Sequence, residues 1–463
     1  MTLPATQESN ASTSAQGPHK ALPWPAVWAF GCVALPLSTI GLPLAIYLAP
    51  FYAGEVGLSL AALGTAMLLA RVLDLVVDPF IGVASDRLRT RFGRRRPFVV
   101  VGTVLLLLGM MMLFHPPKGV TLYYFLGWLG LMYCGFSLLQ VPHKAWGAEL
   151  SPDYHERTHI SSVRQFFATG GLIVSTLVPA IVLMQPGAKS ADVLSALALM
   201  TLILLPIMVA INFRFTPEPK APLHVPGVRV DWRTQWRTQW RAVKRNGPLS
   251  TILLVLFVGF SAESFRQTLT VFLARDVIGV PNLGLIYVYY FVSAFIGVPF
   301  WRWVARHVGK HRALAGGMVI AIATNLGIYF LGRGDVAMFT TMFIIKGFCF
   351  GALDLLPAAM LADAADVDTA ISRKARVGLL FAMAGIVTNL GQAVGQGLSL
   401  NALAWVGYNA AGEKGESALN ALRALYALAP SVVLGIAMLI ALRYSLTAQR
   451  HARLRVALEK RRA

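Results

Sequence analysis

The chain has 463 residues, of which 56% are hydrophobic and only 13% charged, about half the charged share of a soluble domain. Its three cysteines, Cys32, Cys134 and Cys349, all lie in apolar runs, so neither a disulfide framework nor a cysteine metal site is indicated. The net charge of +20 invites a nucleic-acid reading, which the placement of the charges argues against.

Residues 1–22 are polar and rich in Ser and Thr, with no charged stretch leading into a short apolar core. They are expected to form a disordered tail, not a cleaved signal. Twelve apolar segments follow, near 25–53, 58–85, 97–115, 121–147, 160–184 and 191–212, then 249–274, 282–305, 312–332, 335–362, 376–405 and 420–444. Many approach or exceed the roughly 18 residues that cross a bilayer. The expected fold is an all-α polytopic membrane protein of twelve transmembrane helices. Its parts are a six-helix bundle at 23–213, a central loop at 214–248, a second bundle at 249–445 and a basic tail at 446–463.

Loops after even-numbered segments, with the two tails, hold thirty Lys and Arg; loops after odd-numbered segments hold five. This positive-inside bias puts both termini and the central loop in the cytoplasm, with the protein in the cell's inner (plasma) membrane. The basic balance is then topology and contact with anionic membrane lipid, and no nucleic-acid partner is expected.

The second segment leads into Arg71–Pro97, RVLDLVVDPFIGVASDRLRTRFGRRRP. Residues i and i+4 share a helix face, so Asp74 and Asp78 stack one turn apart with Arg71 a turn earlier. An ionisable residue at bilayer depth costs at least about 2.5 kcal/mol, which makes the pair a candidate functional site. The simpler alternative is that Arg71 and Asp74 form a structural i,i+3 pair; Asp78 has no basic partner in its own helix. In the central loop, a Pro-rich piece precedes WRTQWRTQWR, whose Trp232, Trp236 and Trp240 fall on one helical stripe beside Arg233, Arg237 and Arg241. That pattern suits an interfacial helix lying on the membrane.

The two sets of six segments repeat each other. Phe80-Ile-Gly-Val83 recurs as Phe295-Ile-Gly-Val298, Gly93-Arg-Arg-Arg96 as Gly309-Lys-His-Arg312, and Pro142 as Pro357, at offsets of 215, 216 and 215 residues. Parallel six-helix repeats characterise transporters that rock two halves about a midplane site. No HExxH pair, nucleophile elbow or phosphate-cradling loop is present, so an enzyme is not expected.

The six-plus-six plan with GVASDRLRTRFGRRRP between segments two and three resembles the major facilitator superfamily. The longer string from Arg71 to Pro97 resembles its glycoside–pentoside–hexuronide cation symporters, the melibiose-carrier group. The resemblance runs from about residue 25 to 445. It implies that Asp74 and Asp78 bind the coupling cation, and hard carboxylate oxygens suit Na⁺ while paired acids suit a shared proton. No cofactor is expected beyond that H⁺ or Na⁺, and the only metal ligands would be these two acids. It also implies a cytoplasmic gate that includes Arg71, Asp86, Arg94, Arg95 and Arg96, for which Glu149 and Asp153 are candidate acidic partners.

Other positions carry over with changes. Arg164, in SVRQFF, matches the family's sugar-contacting arginine. The family's two sugar-binding acids fall on Gln140 and Ser38, its aromatic platform on Lys144, and its cation-facing lysine of the eleventh helix on Asn389. These residues are the candidate substrate site. The expected function is H⁺- or Na⁺-coupled symport of a small polar solute, a glycoside or sugar derivative, by alternating access. Loss of the two acids and gain of Lys144 favour an alternative, an anionic or amphiphilic solute (a sugar acid or lysolipid) with weak or no coupling, since Lys144 and Arg164 could meet an anion. A non-transporting sensor on the same scaffold is a third reading. A monomer is expected.

The second half holds further charges in apolar runs: Glu263 with Arg266, and Lys346 with Asp354. The first two read as a self-neutralising pair; the others could pair elsewhere or line the cavity. Trp146, Tyr287, Tyr289, Tyr290 and Trp405 are aromatics that stack on a sugar or pack between helices. Gly391, Gly395 and Gly397 permit close helix approach, and His143 is a weak proton-relay candidate.

Overall fold

The computed structural model describes residues 22–88, 90–151, 154–218, 246–372, 377–410, 412, 415–446, 450 and 453. The stretch expected to form the WRTQ helix, residues 1–21, most of 447–463 and Asp153 lie outside the described residues, as do the side chains of Asp86 and Arg87.

A chain crossing hydrocarbon must satisfy its backbone internally, and here it does so entirely with helices. The first half comprises α1 (Trp24–Cys32), α2 (Ala34–Phe51), α3 (Leu60–Arg87), α4 (Arg96–Phe114), α5 (Leu122–Glu149), α6 (Tyr154–Val182) and α7 (Ser190–Phe215). The second comprises α8 (Gly247–Phe272), α9 (Leu283–Val308), α10 (Lys310–Tyr329), α11 (Val336–Ser372), α12 (Val377–Trp405) and α13 (Glu416–Leu442). Helices α1 and α2 run on into a π turn, Tyr52–Val56, as one span. Among the described residues, eleven spans are long and apolar enough to cross a membrane; α12 adds a twelfth helix of 29 residues that carries the polar run TNLGQAVGQG. Side-chain caps mark several starts: Ser59 accepts from Ala62 N at 3.3 Å, Asn246 from Leu249 N at 3.0 Å and Asn282 from Leu285 N at 3.0 Å. Each cap satisfies one of the amides that a helix leaves unpaired at its start.

The internal repeat is visible in local geometry. The first span of each half ends in a π turn closed by a left-handed glycine, Gly57 (φ +88°) after Tyr52–Val56 and Gly279 (φ +78°) after Leu273–Ile278. The basic loop of each half turns on a positive-φ glycine, Gly93 (φ +104°) or Gly309 (φ +94°). In each, the next residue pairs with an acid toward the end of that half's fourth span: Arg94 with Glu149 and Lys310 with Asp363, both at 2.6 Å.

The halves meet through α3 against α12, α6 against α9 and α2 against α8. Away from the basic loops the contact is tight. A Cβ on Gly64 would sit 2.8 Å from Leu400 Cβ and 2.9 Å from the Gly397 carbonyl oxygen, and one on Gly284 would strike the Pro179–Ala180 backbone. Asn282 Nδ2 donates to the Ala180 carbonyl at 2.8 Å across this seam. The largest buried apolar cluster joins both halves here, from Leu48 and Leu63 to Phe272, Leu400 and Tyr426. At the basic end the core divides. Val27, Phe30, Trp146, Ile160 and Val163 form a cluster of the first half alone, while Leu249, Trp301, Leu356 and Ala437 belong to a separate one in the second. The two bundles are thus sealed at one end and keep independent cores at the other.

Candidate functional site

At mid-depth, between the halves, lies a cavity of about 500 Å³. Every helix facing the seam contributes to it. From the first half come Ser38 on α2, Arg71 on α3, Gln140 on α5 and the pair Gln165 and Thr169 on α6. From the second come Glu263 and Gln267 on α8, Tyr287 and Tyr290 on α9, Asp354 on α11, and Gln392 and Gln396 on α12. Phe136, Phe260, Phe291 and Phe350 supply apolar wall between the polar groups. The lining therefore offers amide and hydroxyl partners beside aromatic faces, the mixture that holds a small polar ligand in a mostly apolar pocket.

Of the expected cation, substrate and gate residues, Ser38, Gln140 and Arg71 line the cavity itself. Asp74, Asp78, Lys144 and Asn389 lie a short step toward the basic end. Helix α3 runs toward the basic loop, so Asp74 and Asp78 stand about 4.5 and 10 Å beyond Arg71 at the helical rise. Lys144 follows Gln140 by about 6 Å on α5, and Asn389 precedes Gln392 by about 4.5 Å on α12, by the same rise. Lys144 donates to Gln140 Oε1 at 2.8 Å and lies within electrostatic range of both Arg164 and Asp78.

The two acids of α3 are not equivalent. Asp74 is tied down: its Oδ2 stands 3.6 Å from Arg71 Nη1, and its Oδ1 accepts from Ser137 Oγ on α5 at 2.5 Å. Arg71 in turn lies over the Tyr133 ring at 4.4 Å. Asp78 has a buried Oδ1 with no hydrogen-bond partner. A buried carboxylate oxygen left unmatched is costly, and a cation or proton would relieve it. Arg164 likewise has a buried Nε without a partner.

The arginine loop is anchored within its own half. Arg95, only 2% exposed, donates from Nη2 to Glu149 Oε1 at 2.7 Å and from Nη1 to Ser85 Oγ at 2.6 Å. Glu218, which the sequence did not single out, accepts from the backbone amides of Arg94 and Arg95 at 2.7 and 2.8 Å and pairs with Arg96 Nε at 3.3 Å. Such a carboxylate at a helix N-terminus is favoured by the dipole and by the unpaired amides. Trp146 is fully buried and donates from Nε1 to the Pro217 carbonyl at 3.0 Å, so it packs the first half. His143 is buried and stacked on Phe30, with ring centroids 4.3 Å apart.

In the second half, Arg266 donates to Glu263 through both Nε and Nη2, and to Tyr426 Oη at 3.0 Å. The pair neutralises itself and also lines the cavity. Lys346 is buried and donates to Asn325 Oδ1. Asp354 faces the cavity. Tyr289 and Trp405 are exposed and absent from the lining, unlike Tyr287 and Tyr290. On α12, Gly391 and Gly395 let α8 approach at Phe257 and Ser261, while Gly397 meets α3 at Leu68.

Sequence reasoning passed over Gln165, Thr169, Gln267, Gln392 and Gln396. Their signal was present as polar residues one turn apart in apolar runs (Gln165 with Thr169, Gln392 with Gln396), a spacing that aims both at one side of a helix.

Two pseudo-symmetric six-helix bundles around a polar central cavity define a multi-pass membrane transporter, not an enzyme. The chain belongs to the MFS/sugar transport protein family, whose model matches residues 29–448. It is 25% identical over 449 residues to the isoprimeverose transporter of Lactiplantibacillus pentosus, covering 95% of this chain and 92% of that one. It is 24% identical over 438 residues to the glucuronide carrier protein homolog of Escherichia coli, covering 90% and 91% respectively. Among solved structures, the nucleoside transporter NupG superposes with a TM-score of 0.62 at 12% identity, over 91% of this chain and all of that one. That likeness concerns the fold alone.

Proposed function

We propose that the protein imports a small polar solute, a glycoside or sugar derivative, together with H⁺ or Na⁺, and that it works by alternating access. The observation that carries this reading is Asp78. Its unpartnered carboxylate oxygen is buried one turn beyond the Arg71–Asp74 pair, beside a cavity of disaccharide-accommodating size. A cation at Asp78 and Asp74 removes net negative charge from the bilayer interior and frees the halves to move with solute bound. The positive-inside bias puts the basic loops in the cytoplasm, so the divided core is the cytoplasmic side and this arrangement faces inward. Import follows if the solute moves with H⁺ or Na⁺ down the ion's inward gradient and is released from this state.

The test is counterflow into proteoliposomes with isoprimeverose as the first probe and a panel of other glycosides beside it. Exchange of at least one neutral glycoside supports the reading. Exchange of none refutes it.

A second reading, an anionic solute, rests on Lys144 and on the unpartnered Arg164 Nε. If it holds, glucuronides compete for uptake while neutral glycosides do not, and Lys144→Gln abolishes the competition.

A further inference from the structure

The cavity carries two carboxylates on its second-half wall, Glu263 on α8 and Asp354 on α11. They stand differently. Glu263 is held from behind: Arg266 grips it through two guanidinium nitrogens, and Arg266 is itself 1% exposed and fixed by Tyr426. Arg266 borders the cavity but is almost wholly buried, so Glu263 remains as the partly exposed, rigid acceptor of the pair. Asp354 accepts no hydrogen bond among the described residues, and its side chain opens on the cavity. A rotamer-locked acceptor and a free one on neighbouring walls, with Phe260, Phe350 and Tyr290 between them, make an arrangement that lacks only donors.

Resting on the symport reading above, we propose that Glu263 and Asp354 are the specificity-determining acceptors of this transporter, and that they bind hydroxyl groups of a neutral polyhydroxylated solute from the second-half side. The rest of the wall decides the ligand chemistry. Glu263 already has its counter-charge in Arg266, so it needs a donor and not a second cation. Gln140, Gln165, Gln267, Gln392 and Gln396 provide neutral amides that both donate and accept, which suits hydroxyls. A carboxylated group would meet the unpaired charge of Asp354, and at Glu263 an acceptor with no proton to offer, so it is turned toward Lys144 and Arg164 or rejected; like-charge juxtaposition is an effective means of exclusion. The proposal thus also sets the orientation of an acidic sugar, if one enters: acid toward the basic end, hydroxyls toward α8 and α11.

The experiment uses the full-length protein in proteoliposomes, with isoprimeverose and its monodeoxy derivatives as probes in counterflow. A hydrogen bond to a charged acceptor corresponds to about a tenfold to hundredfold change in affinity. Asp354→Asn and Glu263→Gln are each expected to weaken half-saturation by about tenfold or more while leaving the choice of coupling ion unaltered. One monodeoxy derivative that binds poorly to the wild type should bind Asp354→Asn no worse than the parent sugar does. Because Glu263→Gln strips Arg266 of its partner, Glu263→Asp accompanies it and should retain part of the affinity, with thermal unfolding recorded for all three. Wild-type exchange with unchanged half-saturation in Asp354→Asn and Glu263→Asp overturns the proposal and leaves the symport reading standing. Tighter binding of an amino-sugar analogue, lost in Asp354→Asn, overturns it in favour of cation recognition. If the wild type does not exchange isoprimeverose, the glycoside that the counterflow panel selects takes its place, and absence of exchange with every glycoside of that panel overturns the symport reading and this proposal with it.

Discussion

Arg95 shows how single side chains set the basic-loop end of the first bundle. Its guanidinium is almost wholly buried, yet Glu149 and Ser85 meet it at 2.7 and 2.6 Å. Removing one partner of a buried pair costs about 3–5 kcal/mol, and Glu149 is partly exposed, so Glu149→Gln is expected to cost about 2 kcal/mol. Thermal unfolding in detergent measures this: a fall in Tm is expected, and a Tm equal to the wild type contradicts the role given to the pair. Glu218 acts on backbone amides as well as on Arg96. Glu218→Gln is expected to weaken that anchor by about 1–2 kcal/mol, while Glu218→Ala lowers Tm further. At this scale the sequence was informative about charge and silent about partners. Asp74, Asp78, Arg95 and Glu149 stand out because charge in or beside an apolar run is rare. Glu218 sits among prolines in a polar segment, where nothing marks one carboxylate from another.

At the scale of helices, the seam depends on residues without side chains. Gly64 and Gly284 let α3 and α9 lie against the opposite half so closely that a Cβ would collide with backbone or side-chain carbons. Gly284→Leu is expected to hold that end ajar and to abolish counterflow while the protein still inserts. Spin labels on Ser59 and Val406 report it: a longer mean distance than in the wild type is expected, and an unchanged distance contradicts the seam's role. The helices themselves were legible because hydrocarbon demands uninterrupted apolar length; the twelve expected segments overlap the eleven spans and α12, although the tenth runs ten residues further than expected, to Ser372. The cavity lining was less legible. Ser38 and Gln140 entered through resemblance, whereas Gln165, Gln267 and Gln396 had no charge to draw notice, and which face of a helix points inward is decided by neighbours far along the chain. Glu263 and Arg266 read correctly as a pair, but i,i+3 spacing cannot reveal that the pair lies on a cavity wall.

For the molecule as a whole, an even number of spans returns the chain to the side from which it started. Tags at the two termini are therefore expected to be cleaved together by protease added to inside-out vesicles and protected in right-side-out ones; opposite behaviour of the two tags contradicts twelve crossings. The division of the apolar core at the basic end and its continuity at the other give the whole molecule one closed and one separable face. Rocking about the central cavity would exchange them. In the proposed mechanism the charge on α3 would link that motion to an ion, because Asp78, unlike Asp74 with its Arg71 partner, resists burial until it binds a cation.

The most direct measurement is uptake of isoprimeverose, or of whichever glycoside the counterflow panel selects, into proteoliposomes bearing an inward Na⁺ or H⁺ gradient, for the wild type and for Asp78→Asn. The wild type should accumulate the sugar above equilibrium with one of the two ions, and Asp78→Asn should equilibrate it without accumulation. Accumulation by Asp78→Asn equal to that of the wild type would contradict the assignment of the driving ion to this helix.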